Sequence, residues 1–435
     1  MDFVKRRKYG SAIAIGMAFA MFLTGCGKKE ISMTAVTTQN RIEIWAWDET
    51  FNVRAAEIAA KEYQKKHPEI QIKITSKEKN EIMEDLNNNL AAKSYSSLPD
   101  IVLMEDYEVQ EMFSRYEGEF LEMDAYLDYS LYQNYKVELA SKEGIHYGLP
   151  FDSGAAVMFY RKDYLEKAGY TEKDMEDITW EKYMEIGKKV RETTGVHMLT
   201  VQPDDLGLIR IMMQSGGAWY VTEEGKEAYV KNNEILKEAI QIYKRLIEQD
   251  LTEAVSGWDD FVAAFQENKV ATVVSGCWLA SSIRDNKEQE GLWRVTSIPK
   301  MENIPDSVNA SNIGGGSWYV IKNRMGSDLA ANFLKETFGE NKDVLNETAR
   351  QTHLVTTRKD ASELETYNTK DPFFGNTNIF DVFLDTTEKV PVVNYGRNTY
   401  EIENILEAEM QDILKGEDLD TVLEKVQVKA QSIVE

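Results

Sequence analysis

The segment Arg41–Ile74 constrains the fold more than any other part of the chain. RIEIWAW alternates Ile42, Ile44 and Ala46 against Glu43, Trp45 and Trp47, the two-residue period of a strand. Val53–Lys66 then gathers Ala55, Ala56, Ile58, Ala59, Ala60 and Tyr63 on one helical face, Pro68 ends it, and Ile70, Ile72 and Ile74 return to alternation. Strand, helix and strand within about 34 residues make a βαβ unit, which obliges its two strands to lie parallel with a right-handed crossover.

The remaining signals continue the alternation. A helix over Glu81–Lys93 leads to Pro99–Met104, a short buried strand closed by Glu105, Asp106 and Tyr107. In an open α/β sheet the residues just past the carboxyl ends of strands line the ligand crevice, which directs Trp47, Asp48, Asp106 and Tyr107 into one cleft. Gly144–Asp163 is a connector: Gly148 and Pro150 break regular structure, Asp152 and Ser153 sit at its middle, and Ala155–Tyr160 has the composition of a buried strand. Helices follow at Thr179–Arg191, Leu206–Met213, Ile235–Gln249 and Phe261–Phe265, with strands at Val270–Val274, Trp293–Ile298 and Tyr319–Ile321. A helix over Asp328–Phe338 and two amphipathic helices, Glu401–Leu414 and Thr421–Val434, complete an α/β layered chain. Its 435 residues exceed what one core usually holds, so two lobes are expected.

The first 25 residues have the build of an export signal: Lys5, Arg6, Arg7 and Lys8 precede an apolar run, Ala12–Leu23, that falls short of the roughly 20 residues a bilayer span needs. Leu23-Thr24-Gly25-Cys26 resembles the bacterial lipobox, which implies a diacylglycerol on Cys26 and a tether over residues 26–40. Cys277 is the one other cysteine, so no internal disulfide would staple the mature chain. A net charge of −24 without any basic stripe argues against a nucleic-acid partner. The four histidines lack metal-ligand spacing, and neither a phosphate-binding loop nor a nucleophile elbow occurs, so no cofactor or zinc site is expected, while the acidic surface leaves a bound calcium ion open.

Taken in order, the lipobox, IEIWAW, PDIVLMEDY, YGLPFDSGAAVMFYRKDYLEKAGY, GGAWY, ENKVATVVSGCW, WRVTSIPKM and GGGSWYVI resemble the extracellular solute-binding proteins of carbohydrate ABC transporters, of the maltose- and multiple-sugar-binding type. The resemblance runs from Ile42 to the C-terminus. It implies a type II periplasmic-binding-protein-like fold: two α/β lobes, each a mainly parallel sheet flanked by helices, closing on a sugar. Mapped here, lobe 1 is 41–152 with 299–352 and lobe 2 is 153–298 with 353–435. The crossings fall near Leu149–Ala155, Ser297–Met301 and His353–Thr357. It further implies a monomer, lipid-anchored on the extracytoplasmic face of a bacterial membrane, that hands its sugar to a permease and is not an enzyme.

A neutral sugar offers apolar ring faces to aromatic side chains and hydroxyls to polar ones, so its site needs both in one concavity. Loop-end pairings of this kind name Trp47, Asp48, Asp106, Tyr107, Asp152, Trp219, Trp258 and Trp278. Trp278 leads because the family stacks a tryptophan after the corresponding strand. Trp318, behind three glycines, and Tyr395, Arg397 and Tyr400, ahead of the C-terminal helices, complete the candidates; Trp45 and Trp180 are expected to pack in cores. Asp106 and Asp152 as a carboxylate pair leave a glycan hydrolase as an alternative, and a non-sugar solute is another.

Overall fold

The computed structural model describes residues 40–203 and 205–434. The export signal, Cys26 and nearly all of the tether lie outside the described residues. Among the described residues no helix is long and apolar enough to cross a membrane.

The strands that position the cleft are β1 (Arg41–Ala46), β2 (Gln71–Ser76), β3 (Ile101–Glu105), β4 (Gly148–Pro150), β5 (Ala155–Arg161), β6 (Thr272–Gly276), β7 (Trp293–Ser297), β8 (Ser311–Asn312) and β9 (Gly316–Val320). The first sheet has the order β2-β1-β3-β9-β4. β1 pairs in parallel with β2 and β3, joined by the helix α1 (Asn52–Lys66), as the βαβ reading requires. Apolar runs in these strands face two cores at once: Ile101 and Leu103 enter one, Val102 and Met104 the other. Trp45 packs in the second of these cores and Trp180 in a third, both as expected.

The second sheet is built on β5, buried along its whole length, with β6 on one side and β7 and β8 on the other. All three pair with it antiparallel. The expectation of a mainly parallel sheet in each lobe is therefore corrected: in the first sheet β9 pairs antiparallel with both β3 and β4, and in the second every pairing with β5 is antiparallel. Hydrophobic pattern encodes which faces of a strand are buried, not its direction, and a doubly covered strand looks alike in either sense.

Passage between the sheets is short. Residues 151–154 separate β4 from β5, within the expected connector, and Ile313–Gly315 separate β8 from β9. This second passage replaces the one expected at Ser297–Met301, because Ser311 and Asn312 still pair with Ala156 and Ala155. A third extended stretch runs alongside, with Ser153 N donating to Val355 O at 2.8 Å and Asp152 bridging to Thr356.

Further helices line the cleft or back the sheets: α2 (Lys79–Ala91), α3 (Trp180–Thr194), α4 (Gly207–Ser215), α5 (Gly257–Gln266), α6 (Lys342–Thr352), α7 (Ile379–Lys389), α8 (Thr399–Lys415) and α9 (Leu419–Val434). Thr179 caps α3, its Oγ1 accepting from Lys182 N at 3.2 Å. The expected helix Asp328–Phe338 is α-helical only to Leu334 and continues as a π turn over Lys335–Gly339. Helices α6 and α7 were not anticipated, although Asn341 and Asn378 cap them and Phe380 and Phe383 give α7 an apolar face.

Candidate functional site

Two neighbouring cavities, of 720 and 570 Å³, open beside the passages between the sheets. Both volumes fall in the range of about 300–1,000 Å³ usual for small-molecule sites. Glu105, Trp258, Trp278 and Gly314 border both cavities, so together they form the wall between them.

Local sequence sets that wall. Trp258, near the start of α5, is half exposed and stacks on Phe261, with ring centroids 5.5 Å apart. Trp278 follows β6 and lies 5.7 Å from Trp258 at 44°. Its indole folds back over Gly276, where a Cβ would stand 2.1 Å from Nε1; only glycine leaves room for this pose. The Trp278 Nε1 donates to Ile313 O at 3.4 Å, just before Gly314 and Gly315, whose φ of 69° and 94° belong to glycine.

Cavity one adds charged side chains. Lys79 Nζ donates to Glu105 Oε2 at 2.5 Å, and Tyr400 OH donates to the same oxygen at 2.7 Å. Burial works against the Lys79 charge, but Glu105 and Glu108 outweigh it and hold the ammonium above its ordinary range. Arg210 donates to Glu403 Oε1 at 2.5 Å and to Asp205 Oδ1 at 3.0 Å. Its guanidinium also lies 5.5 Å from the Tyr107 ring and 5.8 Å from the Tyr400 ring. Burial pushes Glu403 up against the opposing pull of Arg210. Glu108 is likewise pushed up by burial, to about 7. With Glu105, Glu108, Asp205, Glu403 and Glu407 against Lys79 and Arg210, this cavity is predominantly acidic.

Cavity two is lined by Trp47, Asp48, Asp152, Ser281, Arg284 and His353 among others. Asp48 is spent locally: with φ at 61°, its Oδ1 accepts from Thr50 N, Thr50 Oγ1 and Phe51 N ahead of α1. Asp152 Oδ1 accepts from Gly316 N at 2.6 Å and so anchors the glycine loop. Burial draws the His353 imidazole down to about 4, helped by Arg284.

The structure thus brings Trp47, Asp48, Tyr107, Asp152, Trp258, Trp278 and Tyr400 to the paired cavities. Five other candidates lie elsewhere. Asp106 is fully buried in an ion pair with Lys136 at 2.6 Å, which also donates to Gly316 O. Burial raises its pKa to about 6 despite Lys136. Trp318 is buried, its ring parallel to Phe338 and 6.0 Å from it, because the three glycines turn the chain into β9, not out to the cleft. Trp219 is buried and donates to Thr399 Oγ1, packing on Tyr395, whose own hydroxyl donates to Gln214 Oε1. Arg397 reaches Ser114 Oγ and Val434 O instead of either cavity.

Sequence reasoning missed Lys79, Glu105, Arg210 and Glu403. One signal was available: Arg210 is the lone charge inside the apolar run GLIRIMM, where an unpaired charge is costly. With Asp106 drawn inward by Lys136, Glu105 takes the cleft position expected of it.

Residues 59–374 match the family model described as bacterial extracellular solute-binding protein. The lactose-binding protein of Rhizobium radiobacter is 37% identical over 389 residues, covering 89% of this chain and 92% of that protein. An arabinooligosaccharide-binding protein of Halalkalibacterium halodurans is 24% identical over 82% of this chain and 78% of its own length. Among solved structures, the GacH receptor of Streptomyces glaucescens superposes with a TM-score of 0.74 at 20% identity, covering 91% of this chain and 98% of that one, which establishes the shared type II fold. The chain therefore belongs to the bacterial extracellular solute-binding proteins.

Proposed function

We propose that this protein is the extracytoplasmic capture component of a carbohydrate ABC transporter, gripping a neutral disaccharide or short oligosaccharide between two lobes and presenting it to a membrane permease. The observation that carries the reading is the tryptophan wall: Trp258 and Trp278 border both cavities, with polar side chains on either side. Ring faces of a sugar stack on such indoles while its hydroxyls meet the polar rim. The lactose- and arabinooligosaccharide-binding relatives support the same ligand class. Predominance of carboxylates in cavity one, where Lys79 and Arg210 are already paired with Glu105 and Glu403, disfavours uronic acids there.

Lobe 1 would comprise 41–152 with 316–352 and lobe 2 would comprise 153–312 with 353–435, because Lys300, Met301, Val308, Ser311 and Asn312 pair or pack with lobe 2 ahead of the Ile313–Gly315 passage. A lipid on Cys26 would hold the folded part near the membrane through residues 26–40. The Asp106 and Asp152 pair does not support a hydrolytic role, since Asp106 is held by Lys136 and Asp152 by Gly316 N. The relatives are likewise named as binding proteins.

Thermal unfolding with lactose, arabinooligosaccharides, maltooligosaccharides and a uronate tests the proposal. A neutral sugar at 100 times its dissociation constant is expected to add about 2.7 kcal/mol, and to be recovered intact. No shift with any neutral sugar, or appearance of cleaved product, would reject it.

A further inference from the structure

We propose that Glu105 is the carboxylate that reads a ligand hydroxyl at the junction of the two cavities, with Lys79 and Tyr400 as its positioning residues. The inference rests on the cleft being a sugar site and names the residue that discriminates there.

Of the four residues that border both cavities, two are indoles and one is glycine; Glu105 is the only one with a charged acceptor. Its two oxygens are not equivalent. Oε2 accepts from Lys79 Nζ and from Tyr400 OH, and Lys79 Nζ also approaches Tyr400 OH at 3.4 Å. Two donors on one oxygen fix the plane of the carboxylate. Oε1 has no hydrogen-bond partner among the described residues. A methyl group built on Gly314 would stand 3.9 Å from this Oε1 and 3.9 Å from Trp278 Nε1, so the free oxygen and the indole flank the same glycine. A sugar ring lying on Trp278 would carry its hydroxyl edge past Oε1, and a carboxylate can only accept, so the ligand hydroxyl donates.

The same carboxylate also ties the end of β3 to α8 through Tyr400. Ligand recognition and the contact between these two elements therefore share one side chain. An oriented acceptor rejects an epimer more sharply than a freely rotating one, because a hydroxyl pointing elsewhere leaves the oxygen buried and unmet.

Isothermal titration of wild type, Glu105→Gln and Tyr400→Phe tests this, using lactose and its monodeoxy analogues; if lactose does not bind, the tightest of the arabino- and maltooligosaccharides is used with its deoxy forms. Glu105→Gln is expected to weaken the parent sugar about 10- to 100-fold. One deoxy analogue should bind wild type about tenfold more weakly than the parent yet bind Glu105→Gln no more weakly than the parent does. Tyr400→Phe should weaken binding by less and keep the same deoxy pattern, softened. Glu105→Asp replaces Glu105→Gln if the latter lacks a cooperative unfolding transition. Unchanged affinity, or an unchanged deoxy pattern in the Glu105 variant, overturns the role of Glu105 while leaving the sugar reading intact. Failure of every sugar to bind wild type overturns both.

Discussion

Trp258 and Trp278 meet at 5.7 Å and 44°, and each forms part of the wall of both cavities. Trp258 is the more exposed of the two, and Trp278 is held by its Nε1 bond to Ile313 O. The fixed ring is the better platform, since less side-chain freedom is lost when a ligand settles on it. Trp278→Ala should therefore weaken sugar binding about 10- to 100-fold and Trp258→Ala by less, as read by titration calorimetry.

Gly276 should be intolerant of even one methyl group. A Cβ there would sit 2.1 Å from Trp278 Nε1, so Gly276→Ala must displace the indole. Affinity is expected to fall about tenfold while stability drops by about 1–3 kcal/mol at most, the usual range for overpacking. Denaturant unfolding and ligand titration of the same variant separate the two effects.

Lys136 and Asp106, both without solvent exposure, pair beneath the glycine loop. Removing one partner leaves a charge buried and unmatched, so Lys136→Met should cost about 3–5 kcal/mol. Lys136→Met combined with Asp106→Asn should recover part of that loss, since no ionised carboxylate is then stranded. Urea midpoints of wild type and the two variants check both statements.

Glu108 predicts a pH dependence with a defined sign. Burial lifts its pKa from 4.5 to about 7, with Glu105, Glu111 and Glu401 adding to the rise and Lys79 opposing it. The folded state thus holds a proton that the unfolded state has released, and stability falls as pH rises between about 4.5 and 7. His353 acts oppositely: depressed to about 4, it stays neutral when folded, and its contribution is lost as pH falls from 6.5 towards 4. Glu108→Gln should remove the first slope and leave the second, so its unfolding free energy should decline less than wild type between pH 5 and 7.

Alternation in IEIWAW and the helix before Pro68 made the parallel part of the first sheet legible, the pairing of β1 with β2, while the antiparallel β9 and β4 were not. Strand direction in the second sheet was not legible, because β5 is buried on both faces and its apolar run carries no sense. Of the aromatic residues at loop ends, Trp47, Trp258 and Trp278 line the cavities and Trp219 and Trp318 are buried elsewhere. Indoles fill cores and clefts alike, and local sequence does not distinguish them. The polar half was harder still. Glu105 ends β3 and Asp106 follows it; Glu105 borders the cavities while Asp106 pairs inward with Lys136, a residue 30 positions away.

Titration of intrinsic tryptophan fluorescence with lactose and the oligosaccharide panel, on wild type and Trp278→Ala in parallel, tests the cleft most directly. Sugar should change the wild-type emission saturably, and Trp278→Ala should lose most of both the change and the affinity. A wild-type protein indifferent to every sugar, or a Trp278→Ala variant that responds as wild type does, would contradict a carbohydrate held against the tryptophan wall.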